Sequence, residues 1–455
     1  MAIVGGGVVG CAMARRFALG GARVLLIEKG PDILSGASKA NSAILHTGFD
    51  APPESLELAC IQAGHAEYLE IAPRLNLPLL ETGALLVAWT ESDLDKLDEI
   101  VAQAHANGVG DVVRLSAEDI RRREPGLAPT LLGGVSVPRE YLIDPWSAPL
   151  AYVQQAMAHG TAVLRGAAVT GGAFDGRVWH IETTQGAVSA RYMLNCAGLY
   201  GDRVEELMLG DASFNIRPRK GQFVVFDKAA SRLLNAILLP VPSERTKGIV
   251  ITRTVFGNLL VGPTAEEQED RVHADVDTAT LEMLVAAAVA RIPALGTMPV
   301  TALYAGLRPA TEQKYYRIRH EPARNWVTVG GIRSTGLSAA LGLAQHVFNL
   351  WEGGAGLVPP AAVSWPPVPN LSDYAPRDWQ ADDHGEIVCH CEMVTRREIE
   401  ASFQSALPPG DFGGLKRRTR ACMGRCQGFY CSARLAELTG DRGIGPFGEG
   451  LTRDA

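Results

Sequence analysis

Apolar residues fill positions 2–4 without interruption and then break into Gly5-Gly6-Gly7-Val8-Val9-Gly10. A short continuous apolar run closed by glycines predicts a buried strand that ends in a tight turn. A helix is predicted over 11–19. Residues 22–27 (ARVLLI) form a second unbroken run, of the kind found in parallel sheets covered on both faces. The strand-to-glycine pattern returns twice: at 192–197 before Gly198, and at 327–331, ahead of a helix predicted from Gly336 to about Leu350. Other stretches, such as 221–226 and 248–253, alternate with the period of two expected of antiparallel strands. The richest apolar stretch, near 284–290, is short and closed by Arg291. It falls well below the roughly 18 apolar residues needed to span a bilayer.

Gly5, Gly7 and Gly10 satisfy G-x-G-x-x-G. The first glycine permits the turn, the second lets the backbone approach a pyrophosphate, and the third lets the helix pack on the strand. Glu28 ends the second strand eighteen residues after Gly10, where an acidic side chain can bind ribose hydroxyls. With its strand, helix and second strand in order, this is a dinucleotide site; by itself it does not separate FAD from NAD. Only four residues precede Gly5. A first strand usually has about five or six residues, so either this strand is clipped or the start lies upstream of Met1.

Length and charge narrow the picture. A chain of 455 residues predicts two or three domains. The net charge of -7 leaves no basic footprint for a nucleic acid. The N-terminus carries no basic, cleavable leader, so the expected location is cytoplasmic, with membrane contact only through a partner. Three of the eight cysteines, Cys11, Cys60 and Cys196, sit in apolar surroundings and are expected to be small buried hydrophobes. The other five, Cys389, Cys391, Cys422, Cys426 and Cys431, crowd into the last 70 residues.

Residues 35–48 hold small and hydroxyl side chains, among them Ser38, Asn41 and Ser42, that can lie along an extended dinucleotide. Three strand-to-glycine turns spread through one chain suit FAD better than NAD, which one compact unit can hold. The segments GASKANSAILHTGFDA (36–51), DPW (144–146), PRKGQFVVFDK (218–228), GNLLVGPTAE (257–266), AGLRPA (305–310) and GIRSTGLS (331–338) carry a resemblance. Together they resemble the D-amino-acid-oxidase-like FAD superfamily, and within it the glycerol-3-phosphate and L-2-hydroxyglutarate dehydrogenase branch. The resemblance extends to about residue 360. It implies an α/β fold in which a Rossmann-like FAD-binding domain (about 1–85, 145–215 and 300–360) is interleaved with a mainly antiparallel substrate domain (about 86–144 and 216–299). It also implies non-covalent FAD held by Gly5, Gly7, Gly10, Glu28, Ser38, Asn41, Ser42, Gly198, Gly331, Gly336, Leu337 and Ser338. The amides of the helix that starts near Gly336 would face the pyrimidine end of the flavin.

On this resemblance a substrate C–H gives hydride to FAD while the attached hydroxyl or amine loses a proton. His46 is the candidate base, because a neutral imidazole titrates near working pH; a hydrogen-bonded structural histidine is the alternative. Arg308 follows an apolar run and precedes a proline, so it is expected to point inward as a carboxylate or phosphate anchor, or else to form a structural ion pair. Arg333 is read the same way. Tyr304 and Lys220 are weaker candidates. Two arginines favour a small anionic substrate.

Six prolines between 358 and 376 mark a linker, placed at 361–385, and a small domain follows at about 386–438. Its cysteines read Cys389-x-Cys391 and, thirty-four residues later, Cys426-x4-Cys431. Four thiolates in two pairs can hold zinc or an iron–sulfur cluster, and the C-x-C pair is less usual for zinc. CHCE (389–392), VT (394–395) and LKRRTRACMGRCQG (415–428) resemble the bacterioferritin-associated-ferredoxin-like [2Fe-2S] domain. The resemblance implies a small α-rich iron–sulfur domain with these four cysteines as cluster ligands. Cys422 stands where that domain carries glycine, and its spacing makes it a spare thiol. Lys416, Arg417, Arg418, Arg420 and Arg425 surround the site, either to raise the cluster potential or as a solvated basic face. The expected activity is an FAD-dependent dehydrogenase for glycerol 3-phosphate or a 2-hydroxy acid, passing electrons through the cluster to an acceptor protein or quinone-linked subunit. An amine or imino-acid dehydrogenase subunit, or an electron-transfer subunit of a larger complex, are the alternatives.

Overall fold

The computed structural model describes residues 1–242, 248–351 and 356–444; positions 243–247 of the expected 216–299 segment and 352–355 of the 300–360 segment lie outside these. The first apolar run forms the three-residue strand Ala2–Val4. It lies inside a six-stranded sheet, parallel to Leu25–Ile27 on one side and to Met193–Asn195 on the other. Trp326–Gly330 and Ala162–Leu164 continue the parallel set outward, and antiparallel Arg317–Glu321 closes one edge. The central strands are buried on both faces, so their residues do not alternate. The first helix, Val8–Leu19, starts inside the glycine motif, three residues earlier than its apolar pattern suggests, because Gly7 serves as N-cap. The last helix of this part, Gly336–Leu350, matches the expected bounds.

A nine-stranded, largely antiparallel sheet stands over this part. Its longest pairing joins Ile216–Phe226 to Val300–Thr311, with Gly221 opposite Gly306 and Arg219 opposite Arg308. Residues 300–311, expected with the 300–360 flavin segment, therefore belong to the antiparallel sheet. Their apolar pattern suits either sheet, and only the pairing partner decides. Ala84–Ala88 straddles the expected boundary at 85 and also joins this sheet, against Gly133–Val137.

The proline-rich stretch is laid along the body as a strap. Trp365 lies under Arg74, 4.0 Å from the guanidinium carbon, and the Val368 amide donates to the Leu75 carbonyl. The small C-terminal unit consists of a two-stranded ladder and the helices Arg396–Gln404, Phe412–Thr419 and Ser432–Thr439. It docks on both parts of the body. Arg418 forms a two-pronged pair with fully buried Asp32 at 2.5 and 2.9 Å, and Arg417 donates to the Ile33 carbonyl. On the other side Arg425 pairs with Asp227 at 2.8 and 2.9 Å, and Lys228 with Glu392 at 3.2 Å. Arg420 donates to Glu392 and lies 3.9 Å over the Phe256 ring, which stacks on Trp146. Four of the five cations expected to form a basic face thus serve as docking contacts.

Asp32→Ala is expected to strand Arg418 as a buried, unpaired charge. Breaking such a pair costs about 3–5 kcal/mol. Amide hydrogen exchange should then show lost protection across 410–420 and across the 31–34 loop, with the six-stranded sheet unaffected.

Candidate active site and cluster loop

Between the two sheets lies an open cleft of about 1060 Å³. Two helix N-termini face it, those of Val8–Leu19 and Gly336–Leu350, and neither has a side-chain cap on its N-cap residue. Ser38 Oγ takes the Val8 amide, and the remaining first-turn amides with the positive ends of two helix dipoles make the cleft receptive to anionic groups at two places. At the first helix, Gly5 has a φ of +106°, and a Cβ at Gly10 would overlap the Gly5 carbonyl oxygen. Bare backbone at both positions holds the turn and the helix hard against the neighbouring strands, the packing that a pyrophosphate-binding turn requires. Gly10→Ala is therefore expected to yield protein that purifies without flavin colour, measured as FAD released on denaturation per chain.

Gly7, Ser38, Asn41, Ser42, Gly198, Gly331, Gly336 and Leu337 all line the cleft, as do Arg308 and Arg333. Gly5, Gly10, Glu28 and Ser338 do not line it; nor does His46, whose side chain keeps 26% exposure. The Glu28 carboxylate accepts from the Gly6 amide at 2.6 Å and the Gly30 amide at 2.7 Å, and burial raises its pKa despite those bonds. Ser38 Oγ accepts from the Val8 amide at 3.0 Å, at the helix terminus itself. Ser338 Oγ accepts from the His46 amide and donates to the Ile44 carbonyl, tying the His46 loop to the start of the last helix.

Arg308 is half-buried in the wall. Among the described residues its guanidinium meets backbone carbonyls alone: Thr264 at 3.2 Å, and Arg219 and Lys220 at 3.5 Å. Among the described residues no carboxylate is placed to pair with it. Burial first, and Arg219 second, push its pKa down to about 10. Gly221, directly across the ladder from Gly306, leaves the room, since a Cβ there would press on the Arg308 guanidinium. Arg333 differs. One of its amines donates to Glu57 at 3.0 Å, and Glu57 also accepts from Thr335 Oγ1. Lys220 is paired with Glu266, and Tyr304 stacks on Phe223 while donating to the Asn41 carbonyl.

His46 Nδ1 lies 2.7 Å from Oε2 of Glu140, a side chain with no solvent exposure. Thr47 donates to the other oxygen from its amide at 2.6 Å and its hydroxyl at 2.8 Å. Glu140 and Glu57, the partners of the candidate residues His46 and Arg333, carry no signal in the sequence. Neither lies in a recurring motif, and Glu140 is ninety-four residues from its partner.

In the C-terminal unit the thiols pair as Cys389 with Cys431 and Cys391 with Cys426. Backbone amides point at the sulfurs: Glu392 and Cys422 at Cys389, Cys426 at Cys391, and Gly428, Phe429 and Tyr430 at Cys426. Amides donated to sulfur fit thiolates bound to a cluster. Four thiols gathered in one small unit suit the two irons of a [2Fe-2S] cluster.

Residues 1–350 match the family described as FAD dependent oxidoreductase, and residues 387–439 match the BFD-like [2Fe-2S] binding domain. Glycerol 3-phosphate dehydrogenase of Caloramator mitchellensis is 30% identical over 96% of this chain and 93% of its own length. One subunit of the anaerobic glycerol-3-phosphate dehydrogenase of Escherichia coli is 25% identical over 96% of this chain and 87% of its own. The FAD-bound L-alpha-glycerophosphate oxidase of Mycoplasma pneumoniae superposes with a TM-score of 0.75 at 26% identity, covering 81% of this chain and 98% of that one. The two helix termini, the glycine turn and the amide-lined thiol pairs are accounted for together: the chain belongs to the FAD dependent oxidoreductase family and carries a C-terminal BFD-like [2Fe-2S] domain.

Proposed function

We propose that the chain is a dehydrogenase for glycerol 3-phosphate, oxidising the C2 alcohol to a ketone. The observation that carries this reading is Arg308, a half-buried cation in the cleft wall with carbonyls for company and, among the described residues, no carboxylate. A bound phosphate would supply the missing charge through a two-pronged contact. The names of relatives that cover nearly the whole chain point the same way. FAD supplies the acceptor for the hydride leaving C2, and the [2Fe-2S] cluster a one-electron relay, used twice per turnover, to an acceptor protein or quinone-linked subunit. Glu140 holds the Nδ1 proton of His46, which leaves Nε2 with a lone pair to take the C2 hydroxyl proton. Arg333, neutralised by Glu57, shapes the cleft wall beside the last helix. The amides at the start of that helix would stabilise negative charge developing on a flavin bound in the cleft. No described helix is long and apolar enough to cross a membrane.

Anaerobic titration of the holoprotein with glycerol 3-phosphate, a 2-hydroxy acid and a set of amino acids tests this. Flavin bleaching followed by bleaching of the cluster is expected with glycerol 3-phosphate alone. Bleaching only with amino acids would transfer the chain to C–N oxidation and end this reading.

A further inference from the structure

The cluster loop holds one more thiol than a [2Fe-2S] cluster binds. Cys422 is buried, and its Sγ lies 3.4 Å from Sγ of Cys431. With metal–thiolate bonds of about 2.3 Å, two thiolates on one tetrahedral metal sit roughly 3.7 Å apart. The observed separation is therefore close to that of two sulfurs able to share one iron. The backbone of Cys422 has a φ of +62°, a left-handed conformation that glycine takes most easily. A side chain there is directed into the cysteine cluster. The Cys422 amide already donates to Cys389, the thiol paired with Cys431. Room for the extra sulfur comes from Gly428, where a Cβ would stand 2.9 Å from it. The Cys391–Cys426 pair has no such neighbour among the contacts of Cys422.

We propose that Cys422 is a reserve ligand for the iron that Cys431 binds. In the exchange one Fe–S bond forms to Cys422 Sγ and one breaks at Cys431 Sγ. The Cys422 thiol proton passes to the released Cys431 thiolate, and no electrons change hands. The chain can then keep its cluster when Cys431 is lost or oxidised, but not when Cys391 is. This rests on Cys389, Cys391, Cys426 and Cys431 being the resting ligands.

The test reconstitutes the full-length flavoprotein anaerobically and reads the cluster by visible circular dichroism, resonance Raman and iron and sulfide content. Bound FAD is measured alongside, as a report on folding. Cys431→Ser is expected to keep a cluster with an all-sulfur spectrum, whereas Cys431→Ser with Cys422→Gly should lose it or acquire the blue-shifted spectrum of an oxygen ligand. Cys391→Ser should lose or shift the spectrum with Cys422 present. Cys431→Ala, which offers no oxygen, should behave as Cys431→Ser does. If Cys431→Ser and Cys431→Ala keep FAD but show the oxygen-ligated spectrum or no cluster, the reserve role is overturned. If Cys422→Gly alone abolishes the cluster, Cys422 is a resting ligand, and the four-cysteine assignment fails with the proposal.

Discussion

Arg308→Ala is expected to lower kcat/KM for an anionic substrate by on the order of 10²–10³, almost all of it through KM. Truncating one partner of a buried charge pair costs about 2–5 kcal/mol, and each 1.4 kcal/mol is about tenfold. A phosphate anchor remote from the reacting carbon holds the ground state and the transition state alike, so its loss raises KM and leaves kcat nearly unchanged. Arg308→Lys keeps the charge but not the planar fork, and should fall between parent and alanine. An unchanged KM would remove Arg308 from the substrate site.

The parts of the molecule that were legible in the sequence are those specified by neighbours a few residues apart. The glycine turn at 5–10 depends on backbone conformations that only nearby glycines allow, and the last helix runs over 336–350 as its apolar run indicates. The four cysteines stand out because few arrangements explain two close pairs in one small unit. Pairings between distant segments were not legible. The apolar pattern of 300–311 does not name its sheet, so its union with 216–226 needed the register. Arg308 and Arg333 looked equivalent, each near an apolar run and a turn. Glu57, far away in the chain, meets one of them and leaves the other unpaired. The basic cluster at 416–425 was open to two readings, a tuner of the cluster potential or a solvated face, and its docking partners Asp32 and Asp227 belonged to neither. In each case the missing fact is a partner remote in sequence, which local patterning does not encode.

The same kind of remote partner underlies the largest effect expected at the candidate base. Glu140 is fully buried, with Oε2 on His46 Nδ1 and Oε1 holding the Thr47 amide and hydroxyl. In Glu140→Gln the carbonyl oxygen keeps the Thr47 amide, so the new NH₂ group faces His46 Nδ1 and has to donate to it. That contact moves the imidazole proton to Nε2, where the lone pair is needed. Glutamine would therefore install the wrong tautomer with little change in shape. General-base catalysis is worth about 10²–10⁴, and a tautomer error at a comparable carboxylate–imidazole pair costs about 10⁴. The expected result is a fall in kcat of on the order of 10³, with FAD content and melting temperature close to the parent. Glu140→Asp, which can still accept from Nδ1, should recover part of the loss. His46→Ala should cost about as much as Glu140→Gln, and the double variant little more than either, because residues that act through one proton do not add. Dye-linked initial rates across pH 5–9 separate this from a packing role. The limb assigned to the imidazole should vanish in Glu140→Gln and His46→Ala alike, whereas a merely structural carboxylate would lower the plateau and keep the limb. Loss of activity in Glu140→Gln with a normal His46→Ala would place the base on another side chain.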